Sequence, residues 1–248
     1  MKVVNSDIAY SQIRKGILNG TYRPGQPLMT KELSVEIGVS RTPVRDALRQ
    51  LEADGLVVIR PHLGASVRNV TFKEFREMCD LRLALESTAA GMAAENRTPD
   101  ELRELKLVLE NMRELTAQLV ESPVIDQAIL DQLRRADVRF HICVISAAKN
   151  ELLKKEVIRM HIIGRVVVGL TPGEPIVDKA VKNARRTAVQ QSHDEIYEAI
   201  AQEDAPAAKL AMEKHISDII DTNLKAMSRA ETVSMSRELS EEELSYSA

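Results

Sequence analysis

The 248-residue chain has two cysteines, no tryptophan and only 3% aromatic residues. Cys79 and Cys143 lie far apart within helical patterns, so they read as small buried hydrophobes and leave no disulfide scaffold. No window approaches the ~20 consecutive apolar residues that cross a bilayer, which argues against a membrane partner. The opening Met1 to Asp7 has no apolar signal-peptide core, so the expected location is cytoplasmic. There is no internal repeat, and beyond residue 70 strand-type alternation is missing as well.

What is present describes an ordinary globular protein, 44% hydrophobic and 29% charged, long enough for two domains. The net charge of −3 is unevenly spread: residues 1–70 carry +4 and the remainder −7. A small basic module joined to a larger acidic one fits nucleic-acid contact at one end and another task at the other.

Residues 8–18 form a helical pattern with Ile8, Ile13 and Ile17 or Leu18 on its apolar face, closed by Asn19-Gly20. A Pro- and Gly-rich turn over 22–27 leads to a short helix capped by Thr30 and ended at Gly38. The next helix starts at once, with Ser40 or Thr42 as cap and Pro43 in its first turn. Val44, Ala47, Leu48 and Leu51 form its apolar stripe, and Arg41, Arg45 and Arg49 recur every four residues opposite. Two helices around so tight a Gly-containing turn describe a helix-turn-helix. Leu56 to Ile59 and Ala65 to Val67 then read as a β-hairpin wing around Gly64.

The run Ile17-Leu18, Gly20, Pro24-Gly25, Leu28, Leu33, Ile37 to Arg45, Ala47-Leu48, Leu51 and Gly55-Leu56 resembles the GntR family of bacterial transcription regulators over residues 8–70. The resemblance implies a homodimer that reads an inverted repeat in double-stranded DNA. Arg45 and Arg49 would bear base-edge or phosphate contacts, with Arg41, Thr42 and Lys31 at the backbone and His62 and Gly64 at the wing tip.

The remainder reads as helices over 72–94, 98–120, 125–148, 151–170, 178–202 and 205–228, with a break at Thr171 to Pro175. Leu81, Leu85, Ala89 and Met92 mark the expected inner face of the first. The expected organisation is a winged helix-turn-helix domain (1–70), an all-α antiparallel bundle (71–228) and a polar tail (229–248). Asp137 and His141 stand one helical turn apart. His193 and His215 lie about eleven residues either side of a turn near Asp204, so antiparallel folding brings them together. Three imidazoles and a carboxylate suit Zn²⁺, Ni²⁺, Mn²⁺ or Fe²⁺, and spacing alone leaves this reading level with unrelated histidines.

This half is similar to the FCD effector domain of the FadR-like GntR branch. The likeness rests on Asp137-x2-Phe140-His141 and on His193, Ile196, Ala199-Ile200, Asp204, Ala208, Met212 and His215-Ile216. It implies that Asp137, His141, His193 and His215 bind a divalent metal. It also implies that Arg82 and Asn150 face a small organic acid effector, although Arg82 has Glu86 as an internal partner and Asn150 suits a helix cap. Two other readings are an enzymatic metal centre and a purely structural one. Against the enzyme stands the lack of a general base by the ligands, since Asp194 and Glu195 need not face them.

Overall fold

The structure, a computed structural model, describes residues 5–122, 124, 126–168 and 178–221, with the side chains of Phe72 and 161–168 left out. It resolves into two compact units. The first runs to Glu77 and takes in the end of a later helix from Arg159; the second comprises residues 78–158 and those from 178.

The first unit contains α1 (Asn5–Leu18), α2 (Thr30–Ile37) and α3 (Arg41–Ala53) with strands β1 (Pro27–Leu28), β2 (Val57–Arg60) and β3 (Gly64–Val67). α1 buries Ala9, Ile13, Gly16 and Ile17, one step round from the expected face, leaving Ile8 half-buried. Val44, Ala47, Leu48 and Leu51 of α3 are all buried, as their spacing requires. β2 and β3 pair antiparallel from Val57↔Val67 to Arg60↔Gly64. β1 adds to the other edge of β3, giving the order β1-β3-β2. This third strand falls in the segment read as a plain turn. Gly38 (φ 75°) makes the left-handed bend between α2 and α3, and its N–H donates to the Ser34 carbonyl. Neither expected hydroxyl cap forms. Met29 and Ser40 hold the two N-cap positions without a side-chain hydrogen bond, and Thr30 and Thr42 lie inside the helices.

The second unit continues α4 (Phe72–Asn96) and adds α5 (Pro99–Glu121), α6 (Gln127–Ala147), α7 (Glu151–Val168), α8 (Lys179–Ala201) and α9 (205–221). α5 opens on a complete capping box, with Thr98 accepting from the Glu101 N–H while Glu101 accepts from Thr98. Asp126, Asn150, Asp178 and Asp204 accept N–H hydrogens at the starts of α6, α7, α8 and α9. The inner face of α4 differs from expectation. Leu81 is exposed, and the buried positions are Phe75, Cys79, Glu86, Ser87, Ala89, Ala90, Gly91, Ala93 and Ala94. The expected break at 171–175, the end of α9 and the tail 229–248 lie outside the described residues, as does the side chain of His161.

α8 and α9 meet at a turn around Glu203 (φ 60°) that is held by the residue following α4. Arg97 Nε donates to the Ile200 carbonyl and Nη2 to the Ala201 carbonyl, each at 2.8 Å. A guanidinium there satisfies carbonyls that a helix end leaves unpaired and complements its negative pole. The turn fixes the register of α8 against α9, on which the next site depends.

Candidate functional site

In the first unit, α3 presents Arg41, Thr42, Arg45 and Arg49 to solvent, opposite the stripe that fills the core. Lys31 is exposed at the start of α2. His62 (φ 65°) and Gly64 (φ 84°) shape the exposed wing tip beside Leu63. Each expected DNA-contacting residue is thus solvent-facing, on a helix face or hairpin able to enter a groove.

In the second unit, three histidines from three helices converge in the interior. His141 on α6, His193 on α8 and His215 on α9 are at most 2% exposed. One nitrogen from each lies within 4.8 Å of the others. Phe140, fully buried, meets the His193 ring edge-on at 4.8 Å and walls the cluster. Asp137, half-buried one turn before His141, brings Oδ1 to 3.2 Å from His193 Nε2.

The outward nitrogen of each ring lies within 3 Å of an oxygen. His141 Nδ1 lies 2.9 Å from Glu86 Oε2. His193 Nδ1 lies 2.8 Å from the Val189 carbonyl, and His215 Nδ1 lies 2.7 Å from Ser192 Oγ. In a neutral imidazole, a hydrogen on Nδ1 leaves a lone pair on Nε2. His193 turns its Nε2 to the Asp137 carboxylate. His215 and His141 face each other Nε2 to Nε2 at 3.3 Å. Acceptors so close repel unless a cation or a proton lies between them. The spacing also suits a metal, since bonds of ~2.0 Å at tetrahedral angles put donors about 3.3 Å apart. The donor set and its tautomers therefore fit a divalent ion.

Titration behaviour follows from the same contacts. Burial, then the charges of His193 and His141, push His215 down to about 2, so its ring is neutral at ordinary pH. Burial also disfavours charge on His141, but the hydrogen bond and charge of Glu86 outweigh it and raise His141. Burial favours the neutral form of Asp137, yet contact with His193 and the neighbouring imidazoles hold its carboxyl below the usual range.

Arg82 lies beside the cluster. Its Nε donates to Glu86 Oε1 at 2.8 Å, and Glu86, fully buried, presents its other oxygen to His141. Asn150 Oδ1 accepts from the Leu153 N–H, the helix-capping role. Asp194 accepts from Arg113 and Gln190, and Glu195 pairs with Lys214, so neither acts as a base at the cluster. Arg134 and Arg139 are exposed and paired with Asp131 and Glu104. Glu86 as a histidine partner and Ser192 were not foreseen. The only trace of Glu86 in the sequence was its i,i+4 relation to Arg82.

Both parts of the chain match models of known families. Residues 5–67 match the model of bacterial regulatory proteins of the gntR family, and residues 77–218 match the FCD domain. The HTH-type transcriptional repressor RspR of Escherichia coli is 28% identical over 226 residues, 88% of either chain. LutR of Bacillus subtilis, an HTH-type transcriptional regulator, is 27% identical over 83% of this chain and 94% of its own. The regulator YdhC of B. subtilis is 32% identical over 145 residues, which span 58% of this chain and 61% of YdhC. Among solved structures, E. coli McbR/YncC shares the fold with a TM-score of 0.63 at 21% identity, over 90% of this chain and 98% of that one.

Proposed function

Since the chain belongs to the GntR family, a DNA-binding head followed by an FCD domain, we propose that it binds an inverted-repeat operator as a homodimer and senses a small carboxylate at a divalent metal. The family are transcription regulators and not enzymes, which removes the catalytic reading of the metal centre. Asp137, His141, His193 and His215 hold the ion. The observation that carries this reading is the convergence of one nitrogen from each of three buried imidazoles, two of which meet Nε2 to Nε2 at 3.3 Å.

The bound metal supplies a Lewis-acidic point on which an effector carboxylate can rest. Glu86 orients His141, the Val189 carbonyl orients His193, and Phe140 keeps water from that side. Arg82, braced by Glu86, is the second grip on the anion, and Asn150 lends its amide group from the start of α7. An effector alters operator occupancy only through its differential affinity for the two states of the protein, typically 1–3 kcal/mol of coupling. At the operator, Arg45 and Arg49 read base edges or nearby phosphates. Arg41, Thr42 and Lys31 hold the backbone, and His62 and Gly64 approach the minor groove.

Metal analysis of the purified protein, followed by thermal unfolding against small organic acids with and without chelator, tests the sensing half. One acid should raise the unfolding temperature, and chelator should abolish that rise. Protein without stoichiometric metal, in which His193→Ala and His215→Ala change neither folding nor response, refutes it. For the reading half, Arg45→Ala should cost about 1–3 kcal/mol in operator binding and relax the preference at one base pair. Unchanged affinity removes Arg45 from the interface.

A further inference from the structure

Ser192 precedes His193 on α8, and its hydroxyl links two histidines from different helices. Oγ donates to the Val189 carbonyl at 2.7 Å and lies 2.7 Å from His215 Nδ1. A hydroxyl has one hydrogen, and a carbonyl only accepts. With that hydrogen committed to Val189, Ser192 has only lone pairs to offer His215. His215 must then carry its own hydrogen on Nδ1, which leaves Nε2 as the bare nitrogen. The Val189 carbonyl also accepts from His193 Nδ1 at 2.8 Å. A single backbone oxygen thus fixes His193 directly and His215 through Ser192.

We propose that Ser192 is a positioning residue of the metal centre, a relay from the Val189 carbonyl that holds His215 in its ligating tautomer. The inference rests on the metal reading given above. His215 is 1% exposed, so water cannot easily replace the lost acceptor. Without the hydroxyl the ring relieves its unpaired Nδ1–H by moving the hydrogen to Nε2. It then points a hydrogen into the cluster where a metal needs a lone pair.

Ser192→Ala and Ser192→Thr in the full chain test this. Competition against a zinc chelator should show zinc held 10–100-fold more weakly by Ser192→Ala, with most of the loss restored in Ser192→Thr. Long-range ¹H–¹⁵N spectra of metal-free protein at neutral pH should show His215 protonated on Nδ1 in the wild type and on Nε2 in Ser192→Ala. Wild-type zinc affinity in Ser192→Ala overturns the proposal. So does an Nε2–H His215 in the wild-type spectrum, a result that needs no variant to fold. A wild-type protein that takes up no zinc refutes the metal reading and the positioning role together, while its His215 tautomer still reports whether the relay exists.

Discussion

Glu86 has no exposed surface, yet its carboxyl group is shared between Arg82 and His141. Removing one member of a buried ionic set is costlier than the set is stabilising, because its partners keep their desolvation penalty. Glu86→Ala should therefore destabilise the metal-free protein by about 3–5 kcal/mol in denaturant titration, and weaken metal binding further by freeing the His141 ring. Two tyrosines in the first unit give a separate test at the same scale. Tyr10 donates to Asp54 and Tyr22 to Glu36. Burial first, then the partner carboxylate, raise each phenol to about 12. A pKa raised on folding gives stability that is complete below the unfolded value of 10 and lost as pH rises towards 12. Alkaline unfolding of the first unit should accordingly steepen between pH 10 and 12, and Tyr10→Phe with Tyr22→Phe should flatten that limb.

At the scale of elements, the turn joining α8 to α9 is the critical connection. His193 and His215 lie roughly 16 Å of helix from it, so a small change of angle at the turn displaces both rings. Arg97 clamps that turn with two parallel N–H donors, a fork that lysine cannot reproduce. Arg97→Lys should therefore lower metal affinity in a chelator competition nearly as much as Arg97→Ala, although it keeps the charge; full retention by lysine would show that charge alone suffices.

The elements also show what was legible beforehand. The stripe Val44, Ala47, Leu48, Leu51 and the pair Asp137 and His141 were readable because helical phase fixes neighbours within one element. The face of α4 was not. Leu81, Leu83 and Leu85 scatter around that helix, while the face that packs is built of Ala89, Ala90, Ala93 and Ala94, which give little contrast. Glu86 and Ser192 stayed hidden for a related reason, since their roles exist only once α4, α6, α8 and α9 are packed. β1 escaped because two residues are too few to show alternation.

For the whole molecule, the division into two units predicts two responses to metal. A ligand that binds only the folded form stabilises by about 2.7 kcal/mol at a hundredfold excess over its dissociation constant. That gain belongs to the unit holding the histidines. Chelator should lower its unfolding transition and leave that of residues 5–77 in place; a single transition shifting as one would mean that the units unfold together. The uneven charge, +4 over residues 1–70 against −7 beyond, makes the head the polyanion-binding part. Operator affinity should fall linearly with log salt concentration, and each lost phosphate contact, as in Lys31→Ala, should reduce the slope by about one.

His141 and His215 meet nitrogen to nitrogen at 3.3 Å, and the raised proton affinity of His141 lets a hydrogen bridge them when no metal is bound. Loading the site must expel that hydrogen, so metal and acid compete for one seat. On the proposed metal reading, the loaded share of the protein depends on acidity as well as on metal supply. Mixing metal-free protein with zinc in unbuffered solution should acidify it, and in buffered solution the heat of binding should track the ionisation enthalpy of the buffer present.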